Sequence, residues 1–172
     1  MTKSNAEKVA QIIRDAGGRV VGRTRLQKIA YLLWASGLES GFSFSYRHYG
    51  PFSEDLAAAA RDADLLGLIK EYEQQASWGG SYSIYETDAS QHLTDVATRR
   101  ALAMKAAESD SVELELAATA VFLEKEEGHR DPWAETARRK PEKAGDGRID
   151  KAKELYRTLQ AIKTPVRLPT MG

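Results

Sequence analysis

At 172 residues, with 25 Lys/Arg balanced by 25 Asp/Glu and no cysteine, the chain suits one domain able to bury roughly 70% of its unfolded surface; disulfides and cysteine-based zinc sites are excluded. The zero net charge removes a global drive toward nucleic acid. With no signal core and no apolar run of the ~18 residues a span needs, the expectation is a cytoplasmic protein without a membrane segment.

Charge is nevertheless polarised along the chain. Residues 1–37 carry seven Lys/Arg and two acids, whereas residues 53–95 carry two basic residues and nine acids. Ser4 with Glu7 forms a capping-box pattern, and Val9, Ile12, Ile13 and Ala16 recur at helical spacing up to Gly17-Gly18, which predicts a first helix. Thr24 with Gln27 repeats the pattern before the stripe Leu26, Ile29, Ala30 and Leu33, a second helix ending at Gly37. Residues 42–49 alternate, with Phe42, Phe44, Tyr46 and His48 on one face, and predict a strand closed by Gly50-Pro51. Ser53 then caps a third helix carrying Leu56, Ala59, Ala60 and Ala63. Residues 68–74 and 81–87 read as strands joined around Trp78-Gly79-Gly80.

Beyond these, Leu93, Val96, Ala97 and Met104 place a helix, and Asp110 with Glu113 caps another bearing Leu114, Ala117, Ala118 and Val121. Asp131-Pro132-Trp133 opens a short helix, since proline's missing N–H costs least at the first helical position. Residues 140–147 read as a loop, and Ile149, Ala152, Tyr156 and Leu159 as a final amphipathic helix. The fold class expected is mainly α with a small antiparallel β element. A winged helix-turn-helix-like core spans residues 1–88, with one extra strand between its second and third helices. Helices in 89–164 pack on it as part of the same domain, and 165–172 form a flexible tail.

Few residues combine into catalytic patterns. His48, His92 and His129 lack a second ligand at metal spacing, no Gly-x-Ser-x-Gly elbow occurs, and Gly145-Asp146-Gly147 has no phosphate-loop lysine. Glu113 and Glu115 point to different faces of one helix, and Glu124, Glu126 and Glu127 read as a solvated face around Lys125. No catalytic, cofactor or metal site is expected. In helix-turn-helix proteins the second helix of the motif enters the major groove; here it carries Glu54, Asp55, Asp62 and Asp64 against Arg61, which opposes approach to phosphates. The alternative nucleic-acid surface is a basic face of Arg19, Arg23, Arg25 and Lys28, unless those cations are solvated or paired with the acidic middle of the chain.

The densest local pattern is residues 46–53. Arg47 and His48 offer hydrogen-bond donors, Tyr46 and Tyr49 rigid amphipathic area, and Pro51 and Ser53 lead into a helix N-terminus, a set suited to contact with a protein partner. Each also has a structural task open to it: Tyr46 and Phe52 as core, Gly50-Pro51 as a turn, Ser53 as a cap. The runs Thr24-Arg25-Leu26-Gln27-Lys28-Ile29-Ala30-Tyr31-Leu32-Leu33, Tyr46-Arg47-His48-Tyr49-Gly50-Pro51-Phe52-Ser53, Leu65-Leu66-Gly67-Leu68-Ile69 and Arg139-Lys140-Pro141 resemble the bacterial YwgA-like proteins. More distantly the first three runs resemble the Panacea (SocA-like) antitoxin-associated domain, with its Leu-Gln-Lys helix and Tyr-Gly-Pro turn, a shorter pattern from which the helical C-terminal third departs. That resemblance implies a module that binds a protein partner, in a toxin–antitoxin or phage-defence setting. The expected function is therefore a non-enzymatic, cytoplasmic protein-interaction module, with a winged-helix DNA-binding regulator as the alternative.

Overall fold

A computed structural model describes residues 3–88 and 96–172. Helix α1 (Asn5–Asp15) opens with the expected capping box: the Ser4 side chain accepts from the Glu7 N–H, and the Glu7 carboxylate accepts from the Ser4 N–H. After Gly17-Gly18 comes a strand that periodicity does not signal, β1 (Arg19–Val21). Helix α2 (Arg23–Ala35) starts from Gly22, not from a Thr24 cap. Gly22 sits at φ 99°, a backbone region disfavoured for other residues, and its N–H is committed to Ser83 O at 2.8 Å. The helix thereby begins directly off the sheet, and every side chain from Leu26 to Leu33 is buried.

The single strand expected over 42–49 is instead a hairpin. Strands β2 (Ser45–Arg47) and β3 (Gly50–Phe52) pair antiparallel, Tyr46 opposite Pro51, around a turn at His48-Tyr49. The inward alternation of Phe42, Phe44 and Tyr46 is present, but it ends there, because the chain turns back at His48. Gly50, at φ 91°, makes the reversal possible. Pro51, which has no N–H, is tolerated because a two-stranded ribbon has only edges. Helix α3 (Glu54–Leu65) follows, its Leu56 N–H received by the Ser53 side chain. Strands β4 (Lys70–Gln75) and β5 (Ser81–Glu86) form the second hairpin, and β1 completes an antiparallel sheet in the order β1-β5-β4.

Helix α4 (Ala97–Glu108) buries Arg99, Leu102, Ala103 and Ala106. Of the face expected for it, Val96 and Met104 are exposed and Leu93 lies outside the described residues. The helix is rotated so that Arg99 faces α1, where its guanidinium pairs with Asp15, with Glu39 at 2.7 Å and with Leu38 O. Helix α5 (Ser111–Glu127), capped by Asp110, is buried on all sides from Leu114 to Leu123, as a helix at the centre of a fold must be. It packs on α2, β3, α6 (Pro132–Arg139) and α8 (Arg148–Gln160). A four-residue helix, α7 (Pro141–Ala144), occupies part of the expected loop. The last residues, expected as a flexible tail, pack back on the body: Val166 N–H bonds to Ser36 O at 2.9 Å, and Leu168 and Met171 are buried. The architecture is mainly α with a small antiparallel β component, and no helix among the described residues is long and apolar enough to cross a membrane.

Candidate functional site

The Leu26-Gln27-Lys28 run and the Tyr49-Gly50-Pro51 turn, with 20 residues between them in sequence, meet in the structure. The Gln27 side chain acts as a two-way clamp, donating to Ser53 O at 3.0 Å and accepting from Ser53 N–H at 2.8 Å. One residue on, Lys28 Nζ donates to Pro51 O at 3.0 Å. The other side of the hairpin is held from α5 to α7. Lys140 Nζ donates to His48 O at 2.7 Å and lies 3.0 Å from Glu115. Lys143 Nζ reaches both Glu115 oxygens, at 2.9 and 2.8 Å. Gly50 is pressed against α5 so closely that an added Cβ would lie 2.3 Å from Thr119 Oγ1. The hairpin is thus wedged between two buried helices, its backbone bonded at His48, Pro51 and Ser53.

The packing around this wedge is unusual electrostatically. Lys28 is 1% exposed and Lys140 2%. Burial pushes the Lys28 amine down to about 7; Glu115 opposes the shift, and Lys140 and Lys143 add to it. Thr119 Oγ1 is buried with no hydrogen-bond partner. Burial is the leading cause of the lowered Lys28 pKa. Among the described residues no group of His, Asp or Glu is arranged to hold a metal ion.

Outside the wedge lies a cationic and aromatic surface. Tyr46 is half-buried, its ring tilted 46° against Phe122 at 6.1 Å, with the Arg139 guanidinium 4.9 Å over it. Arg139 is itself aimed by Glu127 at 2.9 Å and Glu135 at 2.8 Å. Hydrogen bonds from Arg138 and Arg139 hold the Glu135 carboxyl down at about 2. Tyr49 is 52% exposed, with Lys143 Nζ 4.6 Å over its ring. Arg47 lies across Phe52 and meets Glu54 at 3.2 Å. Tyr46, Arg47, His48 and Arg139 line a cleft of about 440 Å³.

Of the six residues expected to contact a partner, Tyr46, Arg47, His48 and Tyr49 are on this surface. Pro51 and Ser53 are buried, the first as acceptor for Lys28 and the second as helix cap and clamp target, so neither faces solvent. The four cations expected as a basic face are not brought together. Arg19 pairs with Glu86 at 3.4 Å and Arg23 with Glu71 at 3.3 Å, while Arg25 turns to Val21 O, Ala107 O and Ser109 O and Lys28 is internal. Sequence reasoning named Glu115 and the Arg139-Lys140-Pro141 run without assigning them to this site, and missed Lys143. A signal existed for the first: Glu115 is the lone carboxylate in the otherwise uncharged run 114–123, and a charge buried there demands a cation beside it.

No protein-family model and no solved structure matches the chain. Over 91 residues the chain is 30% identical to a Bacillus subtilis (strain 168) protein named "Uncharacterized protein YwgA". The match covers 51% of this chain and 52% of that one, so it spans about half the length of the relative. The chain is similar to YwgA to that extent, and the relative's name states no activity.

Proposed function

We propose that this chain is a non-enzymatic, cytoplasmic protein-binding module of YwgA-like kind, whose contact surface is the tip of the β2–β3 hairpin. The observation that carries the reading is Tyr49. A large aromatic ring stands 52% exposed on a turn whose neighbouring backbone is bonded from both sides by Lys28, Lys140 and Gln27. A rigid, preorganised aromatic loses little entropy on binding, which is why such residues dominate the energetics of protein interfaces. The element order and the strand order β1-β5-β4 support a winged-helix-like frame beneath it. The likeness of the Leu-Gln-Lys and Tyr-Gly-Pro motifs to the Panacea domain adds an antitoxin or defence setting to the proposal.

The test is affinity capture from the source cell by wild type and by Tyr49→Ala, with thermal melting of both. The proposal expects a defined protein captured by wild type, lost in Tyr49→Ala, and melting temperatures within a degree or two. Equal capture by both proteins removes the hairpin tip from the interface. Loss of capture together with a large fall in melting temperature assigns Tyr49 to stability alone.

A further inference from the structure

Two lysines, Lys140 and Lys143, share one carboxylate, Glu115, immediately behind the hairpin tip, at 3.0 and 2.8 Å. The Lys140 ammonium spends its remaining hydrogen bond on a neutral carbonyl, His48 O. Neutral acceptors satisfy hydrogen-bond donors but leave the charge uncompensated, and low-dielectric walls project such a charge to the nearest surface. That surface is the cleft lined by Tyr46, Arg47, His48 and Arg139, where Lys140 Nζ lies 5.9 Å from the Tyr46 ring; the next residue along the hairpin, Tyr49, carries Lys143 over its own ring. No carboxylate lines this cleft, whereas the groove beside Arg23 and Arg61 carries its own Glu54 and Glu71. Arg47 and Arg139 are held at the rim by carboxylates outside the lining, Glu54, Glu127 and Glu135.

We propose, building on the protein-binding reading, that the partner presents an acidic segment, and that one or two of its Asp/Glu carboxylates seat in this cleft against Arg47, His48 and Lys143 beside the Tyr49 ring. A nucleic-acid backbone fits less well. Phosphate binding draws its affinity from many contacts along a continuous basic track. Here Glu54, Glu127 and Glu135 flank the cleft within a few ångströms of its arginines, which limits the site to one or two anions.

The experiment titrates the full chain with a fluorescein-labelled hexaglutamate peptide, with labelled hexalysine and a thymidine 12-mer as parallel arms, at low and moderate salt. The proposal expects hexaglutamate to bind and hexalysine not to. Arg47→Gln and Lys143→Gln should each weaken binding about threefold to fivefold, the worth of one exposed charge contact. Glu54→Gln, which frees Arg47 from its present partner, should strengthen it by a similar factor. Binding of hexaglutamate unmoved by all three substitutions overturns the assignment, as does no binding at millimolar peptide. Tighter binding of the thymidine 12-mer with the same residue dependence overturns it in favour of nucleic acid. If capture of a protein partner is lost in Tyr49→Ala while hexaglutamate fails to bind, the acidic chemistry falls and the protein-binding surface stands.

Discussion

Replacing Lys28 by methionine separates the electrostatics of the wedge from its packing. In the unfolded chain the ε-amine holds its proton to about pH 10.4, whereas in the fold burial brings the pKa to about 7. Between those values the unfolded state binds more protons, so raising the pH stabilises the folded state. The slope approaches ~1.4 kcal/mol per pH unit, or about 3 kcal/mol from pH 7 to pH 9.5. Below pH 7 the charge is carried inside the fold and its desolvation opposes folding. The Tyr31, Tyr85 and Tyr156 hydroxyls, all raised by burial, ionise above this window and do so in both proteins. Methionine keeps the volume of the stem but cannot donate to Pro51 O, at a pH-independent cost of about 1–2 kcal/mol. Urea unfolding of wild type and Lys28→Met at half-unit steps from pH 6 to 9.5 is the assay. Wild type should gain on the variant steadily as pH rises, by about 2–3 kcal/mol in all. Parallel curves refute a neutralised Lys28, and a variant that gains on wild type with pH reverses the sign of the argument.

The remaining expectations concern stability. Gln27→Leu strips the buried Ser53 N–H of its acceptor and leaves Ser53 O only its helical partner; a loss of about 2–4 kcal/mol in chemical denaturation is expected. Tyr31→Phe removes a hydroxyl buried without a partner among Trp34, Phe44 and Phe122, and should raise stability by about 1 kcal/mol. A lowered melting temperature for it would mean that the hydroxyl has a partner after all. Arg99→Met leaves the buried Asp15 and Glu39 carboxylates without their shared cation and should cost about 3–5 kcal/mol; a change under ~1 kcal/mol would contradict the staple between α4 and α1.

Helix caps and apolar stripes at Ser4, Ser53, Asp110 and Asp131 were legible in the sequence because capping and amphipathicity act within a few residues. Strand β1 was not: three residues cannot show a period, and Arg19–Val21 is a strand only because β5 pairs with it. The rotation of α4 was hidden for a related reason, since Arg99 reads as a solvent-facing residue until Asp15 and Glu39 are found beside it. Residues 46–53 stood out in the sequence as a dense motif, but the partition into a buried half and an exposed half depends on Gln27, Glu115 and Lys140, which come from other elements. The motif's glycine is explained by Thr119, 69 residues away, and no local rule reaches that far.

The proposed contact surface is the hairpin tip, not the surface of β1, α2 and the β4–β5 hairpin. Hydrogen-exchange mapping of the isolated complex separates the two. Slowed exchange is expected in residues 45–52 and 139–143, which carry Tyr49, Arg47 and Lys143. Protection confined to residues 19–28 and 70–86, with the hairpin tip exchanging as in the free protein, would contradict it.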